Sequence, residues 1–326
     1  MNRRDTVLAL LALGATPASA FAQQPNKAWR IGFLGTAFAS GYVRELDSVR
    51  ASLRKLGYVE GNNIVIEYRW AESNPGRLKE MAAELVALKV DVIVTHSIPG
   101  ASAAMQATST IPIVMADGAD PVAAGLTTSL ARPSGNVTGS MSFVPEESAK
   151  RLQLLVEVVP RIKRVAFLAS SLNPKSFSLV RKSINDAAAS ITVDLQEFAV
   201  REAADFPAAF NAMTEARMDA AVISNEPLLN SQAGVIAGLA AVKRLPAIGF
   251  VSFADAGGLL AYGANRPALY GRVGYFVDRI FKGEKPGDIP FERASKFDMI
   301  VNLKTAKALG IKIPQSVLLR ADQVIE

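Results

Sequence analysis

Arg30-Ile-Gly-Phe-Leu-Gly-Thr36 and Arg164-Val-Ala-Phe-Leu-Ala-Ser170 match position by position, 134 residues apart (164 − 30). Each reads as a short buried strand that ends in small or polar residues. Outward from the first copy, Tyr42 to Leu56 carries Val43, Leu46, Val49, Leu53 and Leu56 on one face, which predicts a helix stopped by Gly57. Ile64 to Tyr68 predicts a second strand. Asn74-Pro75 opens a helix running to about Leu88, with proline in its first turn. Asp91-Val-Ile-Val94 and Ile111-Pro-Ile-Val-Met115 predict strands three and four. From the second copy the same order returns: a helix at about 176–189, a strand at 191–198, then Asp219-Ala-Ala-Val-Ile-Ser224 and Leu245-Pro-Ala-Ile-Gly249. First and third strands stand 60 residues apart in one half (91 − 31) and 54 in the other (219 − 165). Alternating strands and helices, repeated once, predict an α/β chain of two Rossmann-like lobes with parallel sheets.

Composition agrees and removes much chemistry. At 326 residues the chain suits two domains of roughly 150 residues each. It has no Cys and one His, which excludes disulfides, thiolate nucleophiles, Cys-ligated zinc, iron–sulfur clusters and a lipid-modified N-terminal Cys. No cofactor or metal is expected.

Residues 1–22 read as a cleavable signal peptide rather than as fold. Arg3 and Arg4 precede an apolar run from Val7 to Ala15, and Ala18-Ser19-Ala20 or Ala20-Phe21-Ala22 offers a small-x-small cleavage site. The run is too short to span a bilayer. The paired arginines allow a twin-arginine route, and Thr6, where a bulky apolar residue is usual, leaves general secretion open. The remaining chain carries 34 basic and 29 acidic residues, a net of +5 (34 − 29), without a local basic block. A nucleic-acid partner is therefore not expected. The expected place is the periplasm, as a monomer without lipid anchor.

In open parallel sheets, ligands sit beyond the carboxyl ends of the strands. Here those ends carry Thr36 and Ala37, His96 and Ser97, then Asp117 and Asp120, with Ser142 further on as another candidate. The second half offers Asn173, Asn225, Glu226, Phe253 and Tyr262. Hydroxyls, amides and helix N-termini suit an anionic or zwitterionic small molecule, although the same residue types also cap helices. Of Asp117 and Asp120, one is expected to cap the helix starting near Pro121 and the other to meet a ligand ammonium or a loop N–H. His96 reads as a hydrogen-bonding or packing residue, with a general base as the rival. Phe253 and Tyr262 read either as core or as a ligand-stacking surface. There is no Gly-x-Gly-x-x-Gly after the first strand, no phosphate loop and no Gly-x-Ser-x-Gly elbow.

Four blocks carry a resemblance. They are Gly57-Tyr-Val-Glu-Gly-Asn-Asn-Ile-Val-Ile-Glu-Tyr-Arg-Trp70, Ile111-Pro-Ile-Val-Met-Ala-Asp-Gly-Ala-Asp-Pro-Val-Ala-Ala-Gly125, Ala131-Arg-Pro-Ser-Gly-Asn-Val-Thr-Gly139, and Asn302-Leu-Lys-Thr-Ala-Lys-Ala-Leu-Gly-Ile-Lys-Ile-Pro314 with Ala321-Asp322. They resemble the extracytoplasmic substrate-binding proteins of ABC transporters, with Ser134 where that family usually shows Gly. The resemblance implies the type I periplasmic-binding-protein fold, in which the chain crosses between lobes three times. The crossings are expected near Ser140–Pro145, Gly263–Pro267 and Gly287–Pro290. Lobe 1 is then 28–141 plus about 266–287, and lobe 2 is 142–264 plus about 288–326. A helix over Tyr270–Phe281 would return to lobe 1, and Phe297–Val301 to lobe 2. The implied function is a receptor, not an enzyme, that closes on a small solute and delivers it to an ABC permease in the inner membrane. The better-understood members of the family are linked to aromatic amino acids. A ligand-sensing module for a membrane receptor, or a periplasmic enzyme using Asp117 and His96, remain the alternatives.

Overall fold

The computed structural model describes residues 28–326 apart from 73, 143, 144, 160 and 171–173. The first half runs β1 (Trp29–Gly35), α1 (Val43–Lys55), β2 (Ile64–Trp70), α2 (Pro75–Ala87), β3 (Val92–Thr95), α3 (Ser97–Ala107), β4 (Ile113–Met115) and β5 (Val137–Met141). The second runs α4 (Glu146–Val158), β6 (Arg164–Ser170), α5 (Pro174–Ser190), β7 (Asp194–Val200), α6 (Phe206–Glu215), β8 (Ala220–Ile223), α7 (Pro227–Ser231), α8 (Ala233–Val242), β9 (Ala247–Gly249), α9 (Val251–Asp255) and β10 (Leu260–Ala264). The remainder is α10 (Arg266–Gly271), α11 (Val273–Phe281), β11 (Glu292–Arg293), β12 (Phe297–Asn302), α12 (Leu303–Leu309), α13 (Gln315–Leu318) and β13 (Gln323–Ile325).

Two α/β sheets result, in the orders β2-β1-β3-β4-β5-β11 and β7-β6-β8-β9-β10-β12-β13. The first five strands of each follow one doubly wound order, so the repeat in the sequence is a repeat of topology. Its echoed aspartates act alike. Asp91 Oδ2 accepts the Arg30 N–H at 2.8 Å, and Asp219 Oδ2 accepts the N–H groups of Lys163 and Arg164 at 2.9 Å each. Each carboxylate thus pins the start of the central strand and fixes its register against β3 or β8. All strand pairs are parallel except β10 with β12.

Both sheets are covered on two faces, as parallel sheets require. In the first, α1, α10 and α11 bury Leu46, Val49, Leu53, Tyr270 and Phe276 on one side. On the other, α2 and α3 bury Leu78, Ala82, Leu85, Ala101 and Ala104. In the second, α4 and α5 bury Leu152, Leu155 and Ile184, and α6 and α8 bury Phe206, Phe210 and Ile236. Each fully buried Leu, Ile or Phe contributes about 1.5–3 kcal/mol.

The chain leaves the first sheet between Met141 and Glu146, returns between Ala264 and Arg266, and leaves again between Arg293 and Phe297. The third passage comes later than the Gly287–Pro290 expected from sequence. The reason is β11, whose Glu292 and Arg293 pair with Ser140 and Met141 and keep the chain on the first sheet. The helix expected over Tyr270–Phe281 also begins earlier, at Arg266, because Asn265 Oδ1 caps it by accepting the Ala268 N–H at 2.7 Å. It then breaks at Arg272. The signal-peptide reading falls on residues 1–22, outside the described residues. Among the described residues, no helix is long and apolar enough to cross a membrane.

Candidate functional site

The carboxyl ends of β1, β3 and β4 build one wall of a cleft. At its centre His96 is buried, with 3% exposure. Its Nε2 accepts the Thr36 N–H at 2.8 Å, so the ring proton sits on Nδ1 and is donated to Tyr270 Oη at 2.6 Å. Burial, then the nearby Arg266 guanidinium, push the imidazole down to about 3. Around it stand Tyr42 at 4.3 Å between ring centres, Tyr270 at 6.3 Å and Phe33 at 6.4 Å. Trp70 joins this cluster through Phe33 and Tyr42. Trp70 lies so close to Gly35 that a Cβ there would fall 2.1 Å from its ring, so this strand end has to be glycine.

Arg266, at the second crossing, covers the cluster. Its guanidinium carbon stands 5.0 Å from the Tyr42 ring centre and 5.9 Å from that of Tyr270, within cation–π range. It also stands 3.7 Å from Asp117 and 3.7 Å from Glu45. These negative partners and the tyrosines outweigh burial and raise its pKa. Ser97, the first residue of α3, is held at φ +64° and donates its N–H to the Asp117 carbonyl at 2.7 Å. Its Oγ and the Oδ1 of Asp117 are buried and have no hydrogen-bond partner.

The facing wall belongs to the second sheet. Arg151 of α4 is fully buried and donates to the Tyr262 carbonyl at 2.7 Å, the Ile223 carbonyl at 3.4 Å and Glu147 Oε2 at 2.7 Å. It therefore ties the ends of β8 and β10 to the first helix after the crossing. Burial raises the pKa of Glu147 against the pull of Arg151, and Asp117 of the other wall raises it further. The Asn225 side chain and the Ala264 N–H also approach the Glu147 carboxylate and lower its pKa, although Oε1 has no well-aligned partner. Tyr262 is half-buried and stacked on Phe297, 5.7 Å between centres at 11°. Glu226 Oε1 accepts the Ser170 N–H at 3.1 Å, and Asn225 Oδ1 accepts from the Asn230 amide at 2.6 Å. Burial raises the pKa of Glu226. Beside the first crossing lies a groove of about 400 Å³, with Asp120, Met141 and Arg293 on one side and Leu179, Lys182 and Asp186 of α5 on the other.

Of the residues singled out from sequence, Thr36, Ala37, Ser97, Asp117, Asp120, Ser142, Asn225, Glu226 and Tyr262 stand at these strand ends and at least partly open to solvent. Two residues of the set fall on the packing side of their two readings. Phe253 is fully buried in the second core, its ring against Gly249 and Gly258, because α9 turns it inward beneath β9. His96 has both ring nitrogens engaged within the protein, and burial pushes its pKa down, which fits the hydrogen-bonding reading. Thr36 likewise gives its N–H to His96 rather than to a solute. Where the sequence predicts a helix starting near Pro121 the chain makes only a turn, and Asp120 closes it: Oδ1 accepts the N–H groups of Val122 at 2.8 Å and Ala123 at 3.2 Å. That leaves Asp117, paired with Arg266, as the acidic group with an oxygen to spare. Asn173 lies outside the described residues. Sequence reasoning missed Tyr42, Trp70, Glu147, Arg151, Arg266 and Tyr270. One signal was available: Glu147 and Arg151 share the helical stripe of Leu155 and Val158, and a charged pair on an apolar face is unusual.

Comparison with known proteins follows the same lines. The family described as ABC transporter substrate binding protein matches residues 40–325. A tyrosine-binding protein of Clostridioides difficile is 28% identical over 80% of this chain and 75% of its own length. A Streptococcus pneumonia domain solved with L-Trp superposes with a TM-score of 0.82 at 26% identity, covering 92% of this chain and 100% of that one. A ligand-free, open substrate binding protein with adhesive properties from Clostridium difficile gives 0.74 at 25% identity, covering 91% and 99%. The architecture is that of the type I periplasmic binding proteins.

Proposed function

The chain belongs to the ABC transporter substrate binding protein family, and we propose that its solute is a free amino acid, aromatic ones foremost. In this reading residues 1–22 direct export, the two lobes close on the solute outside the cytoplasmic membrane, and the closed form delivers it to an ABC permease. One observation carries the ligand class. The Asp117 carboxylate, with one buried oxygen that has no hydrogen-bond partner, lines the same cleft as the partly exposed rings of Tyr42 and Tyr262. Such a site suits a molecule with a cationic group next to an apolar or aromatic part. The relatives named for tyrosine and for L-Trp support the aromatic choice. Thr36 Oγ1 stands 2.7 Å from His96 Nε2, but that nitrogen already accepts the Thr36 N–H and burial pushes the pKa of the ring down, which disfavours its taking a proton.

The test is a thermal-shift screen of the twenty amino acids and a set of small organic acids on protein refolded free of co-purified solute. A solute at a hundred times its dissociation constant stabilises the folded state by roughly 2.7 kcal/mol. Aromatic amino acids are expected to lead the ranking. A flat response to every amino acid sinks the proposal.

A further inference from the structure

The second crossing carries a side chain whose two ends serve different lobes. Asn265 Oδ1 accepts the Ala268 N–H at 2.7 Å and so caps α10, whose Tyr270 is buried in the core of the first lobe. Its Nδ2 donates to both oxygens of Asp298 on β12, in the second lobe, at 2.9 and 2.7 Å. The partners fix which end of the amide is which, because a backbone N–H can only donate and a carboxylate can only accept. The backbone around this tie is braced as well. β10 and β12 are the antiparallel pair, and the Asn265 N–H bonds the Lys296 carbonyl at 2.9 Å, one rung beyond Ala264 opposite Phe297. The second and third crossings therefore leave the second sheet as one two-stranded ribbon. Ala264, Leu269, Ala294 and Phe297 pack together upon it, and the Ala294 N–H bonds the Met141 carbonyl, just ahead of the first crossing, at 2.8 Å. Beyond the ribbon the chain turns at once into α10, and the angle of that turn decides where Arg266 and Tyr270 stand. Those two complete the first wall of the cleft, Arg266 over the Tyr42 ring and Tyr270 on His96 Nδ1.

We propose that Asn265 is a positioning residue for the cleft. Tied to Asp298, it sets the angle between α10 and the second sheet, and with it the resting separation of the two lobes. It acts through Arg266 and Tyr270 rather than on the solute itself. The inference rests on reading the chain as a two-lobed solute receptor, but the measurement that decides it needs no solute. The residue type follows from the two partners. Aspartate would cap α10 equally well, yet it would set a second carboxylate against Asp298. Asparagine offers an acceptor to one lobe and a donor to the other, and the bond to a charged acceptor is stronger than one between neutral groups.

The difference between the amide and the acid supplies the test. Lys79 on α2 and Asn211 on α6, both exposed, are replaced by cysteine in the full chain, which has no other thiol, and spin-labelled. Pulsed dipolar EPR at pH 8, without solute, then measures the separation of the lobes. Asn265→Asp keeps the cap and turns the tie into a repulsion, so its distances should spread and shift from those of the labelled parent. Exchanging the pair, N265D with D298N, moves the donor to the other side and should restore the parent's distances, which a merely damaged crossing would not do. Asp298→Ala leaves Asn265 and its cap in place; it should spread the distances too, and it decides the matter if Asn265→Asp fails to fold. Calorimetry with L-tyrosine and L-tryptophan follows on the same set. Loss of a charge-assisted hydrogen bond predicts affinity lower by roughly 10-fold or more in Asn265→Asp, recovered in the exchanged pair. The proposal is overturned by parent-like distances in both Asn265→Asp and Asp298→Ala, or by an exchanged pair that stays as spread as Asn265→Asp alone. An unchanged affinity in Asn265→Asp for an amino acid that the parent binds overturns it as well. If neither amino acid binds the parent, the amino-acid reading falls, and the distances still decide the role of Asn265.

Discussion

His96 joins three segments through a ring that stays uncharged: Thr36 after β1, its own place after β3, and Tyr270 on α10. Its folded pKa is about 3, against 6.5 for the exposed side chain. Between those values the unfolded chain binds a proton that the native protein refuses. Stability from this group is therefore complete above about pH 6.5, falls as pH drops toward about 3, and changes no further below that. The slope is at most about 1.4 kcal/mol per pH unit. Urea unfolding of the protein and of His96→Gln between pH 7 and pH 4 checks this. The variant should start about 1–3 kcal/mol lower at pH 7, because Thr36 and Tyr270 lose a well-placed partner, and its acid slope should be shallower by about one proton. Equal slopes would show that another group carries the acid sensitivity. The sequence displayed His96 openly at a strand end. It did not show Tyr270, 174 residues further on, which decides what the ring does.

Among the elements, the short helix α9 shows the limit of reading strand ends by position alone. Phe253 follows β9 closely enough to pass for a cleft residue, yet one helical turn carries it under the sheet, where Gly249 and Gly258 leave room for its ring. Phe253→Ala is expected to cost about 3–5 kcal/mol in chemical denaturation while leaving affinity for the solute unchanged. A large loss of affinity in a variant that still folds would return the residue to the cleft. Helix α4 gives the converse lesson. Its apolar stripe was legible, and so in principle was the Glu147–Arg151 pair upon it. The carbonyls of Ile223 and Tyr262 that receive Arg151 arrive from strands 72 and 111 residues away, which no periodicity reveals. The repeated strands were readable because hydrophobic period and register are local properties. The lining of the cleft was only half readable because it is assembled where distant segments converge. The third crossing slipped for a similar reason: β11 is two residues long, too short to leave a pattern.

At the scale of the whole molecule, two sheets of the same winding are joined by three passages of backbone, an arrangement in which hinge motion with each core packed is the expectation to test. The groove beside the first crossing offers a direct test, since Leu179 on α5 and Arg293 on β11 are both exposed and line it from opposite lobes. The chain contains no cysteine, so Leu179→Cys with Arg293→Cys provides two unique thiols for a bifunctional maleimide with a cleavable spacer. Neither position belongs to the aromatic cluster or to the buried Glu147–Arg151 pair. If solute exchange requires the lobes to separate, tethering them should slow release of bound solute in a stopped-flow chase, and cutting the spacer should restore the original rate. The singly labelled proteins should release at the untethered rate, which separates restraint from local damage at either position. Unchanged release in the tethered protein would mean that solute leaves past rigid lobes. The three crossings would then be connections rather than hinges.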